Sequence, residues 1–148
     1  MLQGEHTMVY TIGELASRSG LKSNTIRFYE RMGLIEPEGR SDVGYRLYGL
    51  ESIDIINFIQ NAKALNFTLK EINTLLNLRI SELGTSKDML VHTKLKITEV
   101  ENTLSELKHI HQCLNILANK CPGDNTPIID CPIVGYLHQK GNTIWNIT

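Results

Sequence analysis

A chain of 148 residues, 41% of them hydrophobic and 21% charged, is globular and large enough for one or two small domains. Its 15 Lys plus Arg stand against 16 Asp plus Glu, and the net charge of −1 excludes a uniformly basic surface, so any nucleic-acid partner must be met by a local patch. Three cysteines (Cys113, Cys121 and Cys131), with no signal peptide and no long apolar run, argue for free thiols in a reducing cytoplasm and against a disulfide framework or a membrane span.

The first seven residues, Met-Leu-Gln-Gly-Glu-His-Thr, have no periodicity and are expected to be a tag or disordered extension. Over residues 11–19, Ile12, Leu15 and Ala16 fall at helical spacing, with Thr11 as N-cap and Gly20 as stop. Ser23 is placed to cap a second helix carrying Ile26, Phe28 and Tyr29 up to Gly33. Helix, tight turn and helix in that order can present one helix to DNA. Residues 34–48 then predict two short strands around a polar turn, a wing whose tip is basic and aromatic.

Residues 50–65 are amphipathic, with Ile53, Ile56, Ile59 and Ala62 on one face, and Asn66-Phe67 ends the pattern. Thr68 and Glu71 form a capping box at the start of a helix through Leu69, Ile72, Leu75 and Leu76. After a break at residues 81–85, residues 86–119 place Thr93, Ile97, Val100, Leu104, Leu107, His111, Leu114 and Ala118 alternately four and three apart. That is a coiled-coil seam. No other segment is long enough to cover it, so a second copy of the chain is the expected partner.

Where this helix runs out, Cys121 and Cys131 flank the loop Cys-Pro-Gly-Asp-Asn-Thr-Pro-Ile-Ile-Asp-Cys. Turn residues bend the chain back, and two thiolates brought together suit a soft, polarisable cation. Pro132 fits the first position of a short helix through Leu137. That makes Cys131 its N-cap and aims unpaired backbone N–H groups at the sulfur, which lowers a thiol pKa. Cys113, two helical turns before Cys121, is expected to pack as a small hydrophobe, and His111, at a seam position, to make a hydrogen bond across the dimer.

Four segments carry a resemblance: Tyr10-Thr11-Ile12-Gly13-Glu14-Leu15-Ala16, Thr25-Ile26-Arg27-Phe28-Tyr29-Glu30, Gly33-Leu34-Ile35 and Gly44-Tyr45-Arg46-Leu47-Tyr48. Together, at this spacing, they resemble the MerR family of transcription regulators over residues 8 to about 138. The resemblance implies a mainly α fold. A winged helix-turn-helix DNA-binding domain would cover residues 8–78, a linker and dimerisation helix 79–119, a metal-binding loop and short helix 120–138, and a tail 139–148. It further implies a cytoplasmic homodimer joined by an antiparallel coiled coil, bound to a palindromic promoter and acting with RNA polymerase. Between residues 18 and 46, six basic residues stand against four acidic ones, a mild excess in the segment that would meet the DNA. Ser23, Asn24 and Arg27 lie on the early turns of the second helix and would enter a major groove. Tyr29, Arg40, Tyr45 and Arg46 would hold the sugar-phosphate backbone, Lys63 and Lys70 would add contacts from a second wing, and Glu30 would orient an arginine.

Cys121-Pro-Gly-Asp and Asp130-Cys131-Pro-Ile resemble the sensing loop of the copper-efflux, CueR-like branch of the family. Divalent sensors of the family take a third thiolate from the start of the partner's dimerisation helix, a position that corresponds here to Ser86. Two thiolates and a serine favour Cu(I) or Ag(I). The alternative is a divalent ion (Zn, Cd, Pb or Hg), because nine residues separate the two cysteines, nearer the zinc-type length, and Asp124, Asp130, His92 or His138 could complete such a site; the zinc-type loop carries a histidine where this chain has Thr126. Two further alternatives are a thiol redox sensor, with Cys121 and Cys131 forming a disulfide, and a metal store, against which the DNA-head motifs argue. No nucleophile, base and oxyanion arrangement supports an enzyme.

Overall fold

The computed structural model describes residues 8–141; the expected extension at 1–7 and the last seven positions of the 139–148 tail lie outside the described residues. The chain divides into two compact units, Met1–His92 and Thr93–Thr148.

The first unit runs β1 (Tyr10–Thr11), α1 (Ile12–Ser19), α2 (Ser23–Arg31), β2 (Gly39–Arg40), β3 (Arg46–Tyr48), α3 (Leu50–Ala64) and α4 (Leu69–Ile80), then enters α5 (Ser86–Lys120). Local chemistry sets the helix ends. The Thr11 side chain accepts from the Glu14 N–H while the Glu14 carboxylate accepts from the Thr11 N–H, and the same reciprocal box joins Thr68 to Glu71. Gly20 stops α1 at a φ of 66°, a left-handed conformation that costs a residue without Cβ least. Asn66 ends α3 at a φ of 65°. Lys22, not Ser23, takes the N-cap of α2, with an extended backbone and no side-chain hydrogen bond. Ser23 is instead the first helical residue. At the head of α5, Thr85 and Asp88 form a third box, in which the shorter aspartate does what Glu14 and Glu71 do elsewhere.

The sheet has the order β1-β3-β2 and is antiparallel throughout, with Tyr10 opposite Tyr48 and Arg40 opposite Arg46. Strand β1 was not expected, since two residues give no alternation to read. Pairing with β3 draws Tyr10 and Tyr48 into a core shared with Leu15, Ile26, Tyr29, Ile35, Ile56, Ile59 and Ile72. Each fully buried side chain contributes roughly 1.5–3 kcal/mol relative to exposure. Gln60 donates from Nε2 to the Ser19 carbonyl at 2.9 Å, tying α3 to the end of α1 and so to the helix-turn-helix.

In the second unit, α5 continues to Lys120, and a 3-10 turn (Ile128–Asp130) leads into α6 (Pro132–His138). The seam residues Ile97, Val100, Leu104, Leu107 and Leu114 are 45–60% exposed, while Cys113 and Leu117 are buried on another face. An apolar stripe of this length in water calls for a partner surface. Among the described residues, no helix is long and apolar enough to cross a membrane.

Candidate nucleic-acid interface and metal site

Helix α2 and the wing converge on a hollow of about 500 Å³, lined by Thr11, Ile12, Arg27, Arg40, Gly44, Tyr45, Arg46 and Tyr48. Arg27 comes from α2, Arg40 from β2 and Arg46 from β3. Arg40 and Arg46 are direct cross-strand partners. Like charges in that relation destabilise a sheet, so three guanidinium groups around one concavity make a surface suited to a polyanion. Gly44, at a φ of 89°, turns the wing tip, where Arg40 Nη1 donates to its carbonyl at 3.3 Å and Tyr45 is 68% exposed.

Glu30 on α2 reaches the wing. Its Oε1 lies 3.2 Å from Arg46 Nε, and its Oε2 accepts from the Tyr48 hydroxyl at 2.7 Å, in keeping with the orienting role expected of it. Burial first, and then the Glu30 hydrogen bond, push the Tyr48 phenol up to about 12.

Not every expected residue joins this hollow. Ser23 and Asn24 open α2 but do not line it, and Lys63 sits in the last turn of α3, exposed and apart from it. At 2% exposure the Tyr29 ring packs in the core, the other of the two uses that an aromatic beside Phe28 can have. The exposed ring of that pair is Phe28, on which the Arg31 guanidinium stacks at 5.9 Å. Sequence reading gave Thr11 a capping role and Ile12 a place on a helix face, and assigned none of Thr11, Ile12 and Tyr48 to this surface. For Tyr48 the signal was the Gly-Tyr-Arg-Leu-Tyr run, whose last tyrosine can meet Tyr10 only once the strands pair.

The loop expected to bind metal begins at Cys121, directly after α5. Gly123 turns it at a φ of 67°, and the Asp124 carboxylate accepts from both the N–H and the hydroxyl of Thr126. Those bonds, the side-chain one first, hold the Asp124 carboxyl below the usual range. Cys121 and Cys131 are free, partly buried thiols that line one cavity of about 110 Å³ with Pro122, Gly123, Asp124, Thr126 and Ile128. Cys131 is the N-cap of α6, and Pro132 takes the first helical position. The side chain makes no capping hydrogen bond, yet the backbone N–H groups of Val134 and then Ile133 hold the Cys131 thiol below its ordinary value against the opposing effect of burial, and the Cys121 sulfur adds a smaller lowering.

Two soft sulfurs around a small cavity, one of them predisposed to ionise, fit a thiophilic ion. Among the described residues, no group of three or more His, Cys, Asp and Glu side chains could hold a metal. Asp130 and His138 are exposed, and Asp124 is engaged with Thr126. Cys113 is 4% exposed, with its sulfur 3.5 Å from His109 Nε2, as a packed helix residue would be. His111 meets Asn115 one turn along its own helix.

Known proteins resemble this chain in family and in fold. The family described as MerR HTH family regulatory protein matches residues 10–78, and the one described as MerR, DNA binding matches residues 53–116. The chain is 39% identical over 133 residues to the mercuric resistance operon regulatory protein of Bacillus cereus, covering 90% of this chain and all of that one. It is 37% identical to the HTH-type transcriptional regulator CueR of Salmonella typhimurium, covering 87% of this chain and 95% of that one. The crystal structure of a transcription regulator from Ralstonia metallidurans CH34 in complex with lead(II) superposes with a TM-score of 0.76 at 30% identity, covering 86% of this chain and 98% of that one.

Proposed function

This chain belongs to the MerR family of helix-turn-helix regulatory proteins, and from that premise we propose that it is an activator that Cys121 and Cys131 make responsive to Cu(I) or Ag(I). It is a metal-responsive, DNA-binding transcription regulator and not an enzyme, and it works on promoter DNA as a dimer. The ion is the finer question, since relatives are named for mercury and for the copper-type regulator CueR, and a structural neighbour holds lead.

The observation that carries the monovalent reading is the pairing of two thiols around one small cavity in a chain whose α5 begins with Ser86 and not a cysteine. Ser86 is the first residue of α5, where a divalent site of this family would need a thiolate from the partner. Two sulfurs satisfy a d¹⁰ monovalent ion, whereas Zn²⁺ takes four ligands.

Cys121 and Cys131 would hold the ion as thiolates, and the ion would supply a link between the end of α5 and the start of α6. The N-terminal amides of α6 offset the charge gathered on Cys131. The Asp124–Thr126 turn keeps the intervening chain bent, so that closing the loop costs little conformational entropy. Loop closure favours one state of a two-state dimer, and the readout is DNA shape more than affinity.

The test is transcription in vitro from a promoter bound by the wild-type chain, with Ag(I) or Cu(I) added to wild type, Cys121→Ser and Cys131→Ser. The proposal expects activation of wild type alone, with operator occupancy nearly equal in all three. Activation of either variant by a monovalent ion would overturn it.

A further inference from the structure

We propose that Glu30 is a positioning residue for DNA recognition: its single carboxylate, shared between Tyr48 and Arg46, fixes β3 against α2 and sets the direction from which the Arg46 guanidinium meets a phosphate. This rests on the hollow between α2 and the wing being the DNA face.

Three features support it. The carboxylate is split, one oxygen to the Tyr48 hydroxyl at 2.7 Å and the other to Arg46 Nε at 3.2 Å, so one side chain of α2 holds two residues of β3. Arg46 and Tyr48 stand two apart on the strand and therefore share a face. The two anchors also differ in freedom: Tyr48 is fully buried, whereas the Arg46 side chain is 48% exposed. Tyr48 is thus the fixed point. With Nε engaged, the terminal nitrogens of Arg46 keep the planar fork that matches phosphate oxygens. Finally, Glu30 is an acid close to a surface that must accept phosphates, where an idle negative charge would only repel them. The Tyr48 phenol, pushed up to about 12, keeps its proton near neutral pH and so stays the donor in this bond.

The sign of one substitution separates positioning from idle repulsion. A duplex is selected from a random-sequence pool by the wild-type chain, and its affinity is measured against salt for wild type, Glu30→Gln, Arg46→Ala and the double variant. Positioning expects Glu30→Gln to bind roughly ten- to a hundredfold more weakly, the range for losing a charge-assisted hydrogen bond. The log–log salt slope should flatten by up to about 1.8 for one phosphate contact in each of two protomers. In the Arg46→Ala background the same change should do nothing more. Tighter or unchanged binding by Glu30→Gln, or an equal loss in both backgrounds, would overturn the proposal.

Thermal unfolding of each variant keeps a folding defect in view. If Glu30→Gln does not fold, Tyr48→Phe carries the test, because it removes one anchor and leaves the ion pair. Weaker binding that vanishes in the Arg46→Ala background supports positioning, and unchanged binding overturns it. A wild-type chain that selects no duplex at all would instead overturn the reading of the hollow as the DNA face, and the proposal with it.

Discussion

Replacing Arg40 with Ala tests the electrostatics of the hollow, because the expected effect follows from a count. Arg27, Arg40 and Arg46 line the hollow in one protomer. With Arg27 kept for a base edge, a symmetric dimer carries four phosphate-facing guanidinium groups, Arg40 and Arg46 in each protomer, and at about 0.9 in slope per neutralised phosphate they account for a slope of about −3.6 in log affinity against log salt. Arg40→Ala removes two of the four, flattening the slope by about 1.8. Between 50 and 200 mM salt, the variant should therefore lose about twelvefold less affinity than wild type does. The free protein should not be destabilised, since the substitution also removes a like-charged cross-strand neighbour of Arg46 and only one 3.3 Å bond to Gly44. Fluorescence anisotropy of a labelled operator duplex across a KCl series measures the slope, and thermal unfolding checks the fold. Parallel salt lines for the two proteins would refute the assignment of Arg40 to a phosphate. Arg27→Ala provides the contrast. From the recognition helix it is expected to relax preference at one base position in each half-site, at about 1–3 kcal/mol.

Three other outcomes follow from the geometry. Burial and the Glu30 hydrogen bond push the folded Tyr48 phenol from its ordinary value near 10 up to about 12, so the proton is held more tightly in the folded state; the stability it contributes is complete below pH 10 and declines as pH rises toward about 12. Urea unfolding at pH 9 and pH 11.5 should show this loss in wild type, and a smaller one in Tyr48→Phe. Thr68→Ala, which breaks the capping box at α4, should cost about 1 kcal/mol, read as a lower urea midpoint at unchanged m-value. Leu104→Glu combined with Leu107→Glu places charge on the 50% and 56% exposed seam of α5, and sedimentation should then report a monomer.

Much of this molecule is legible in the chain because its signals are local. Thr11 with Glu14 and Thr68 with Glu71 announce helix starts through chemistry that spans three residues, and both boxes form. Pro132 after Cys131 announces the α6 start in the same way, and the lowered Cys131 thiol follows from it. The four- and three-residue spacing along α5 marks a stripe that stays exposed in one chain. What escaped was set by tertiary pairing. Two residues of β1 carry no period, so nothing marked Tyr10 as the partner of Tyr48. Tyr29 looked like a hand for DNA because an aromatic beside Phe28 can serve either use, and only packing against the core decides which ring is exposed. Ser23 is a good cap by type, yet the backbone at Lys22 takes that place one residue earlier. At the metal loop, the two cysteines were plain, but the Asp124 bonds to Thr126, which occupy one candidate ligand, depend on a turn that a list of donor residues does not reveal.

The central claim, that two thiolates make this regulator a monovalent sensor, is tested most directly by competitive metal binding to the purified, reduced dimer. Cu(I) and Ag(I) are set against Zn(II), Cd(II), Pb(II) and Hg(II), with sulfur coordination counted by X-ray absorption. The account expects tight binding of one Cu(I) or Ag(I) per Cys121–Cys131 pair, two sulfur neighbours per ion, and loss of that binding in both Cys121→Ser and Cys131→Ser. Preferential binding of a divalent ion, with three or more protein ligands around it, would contradict it.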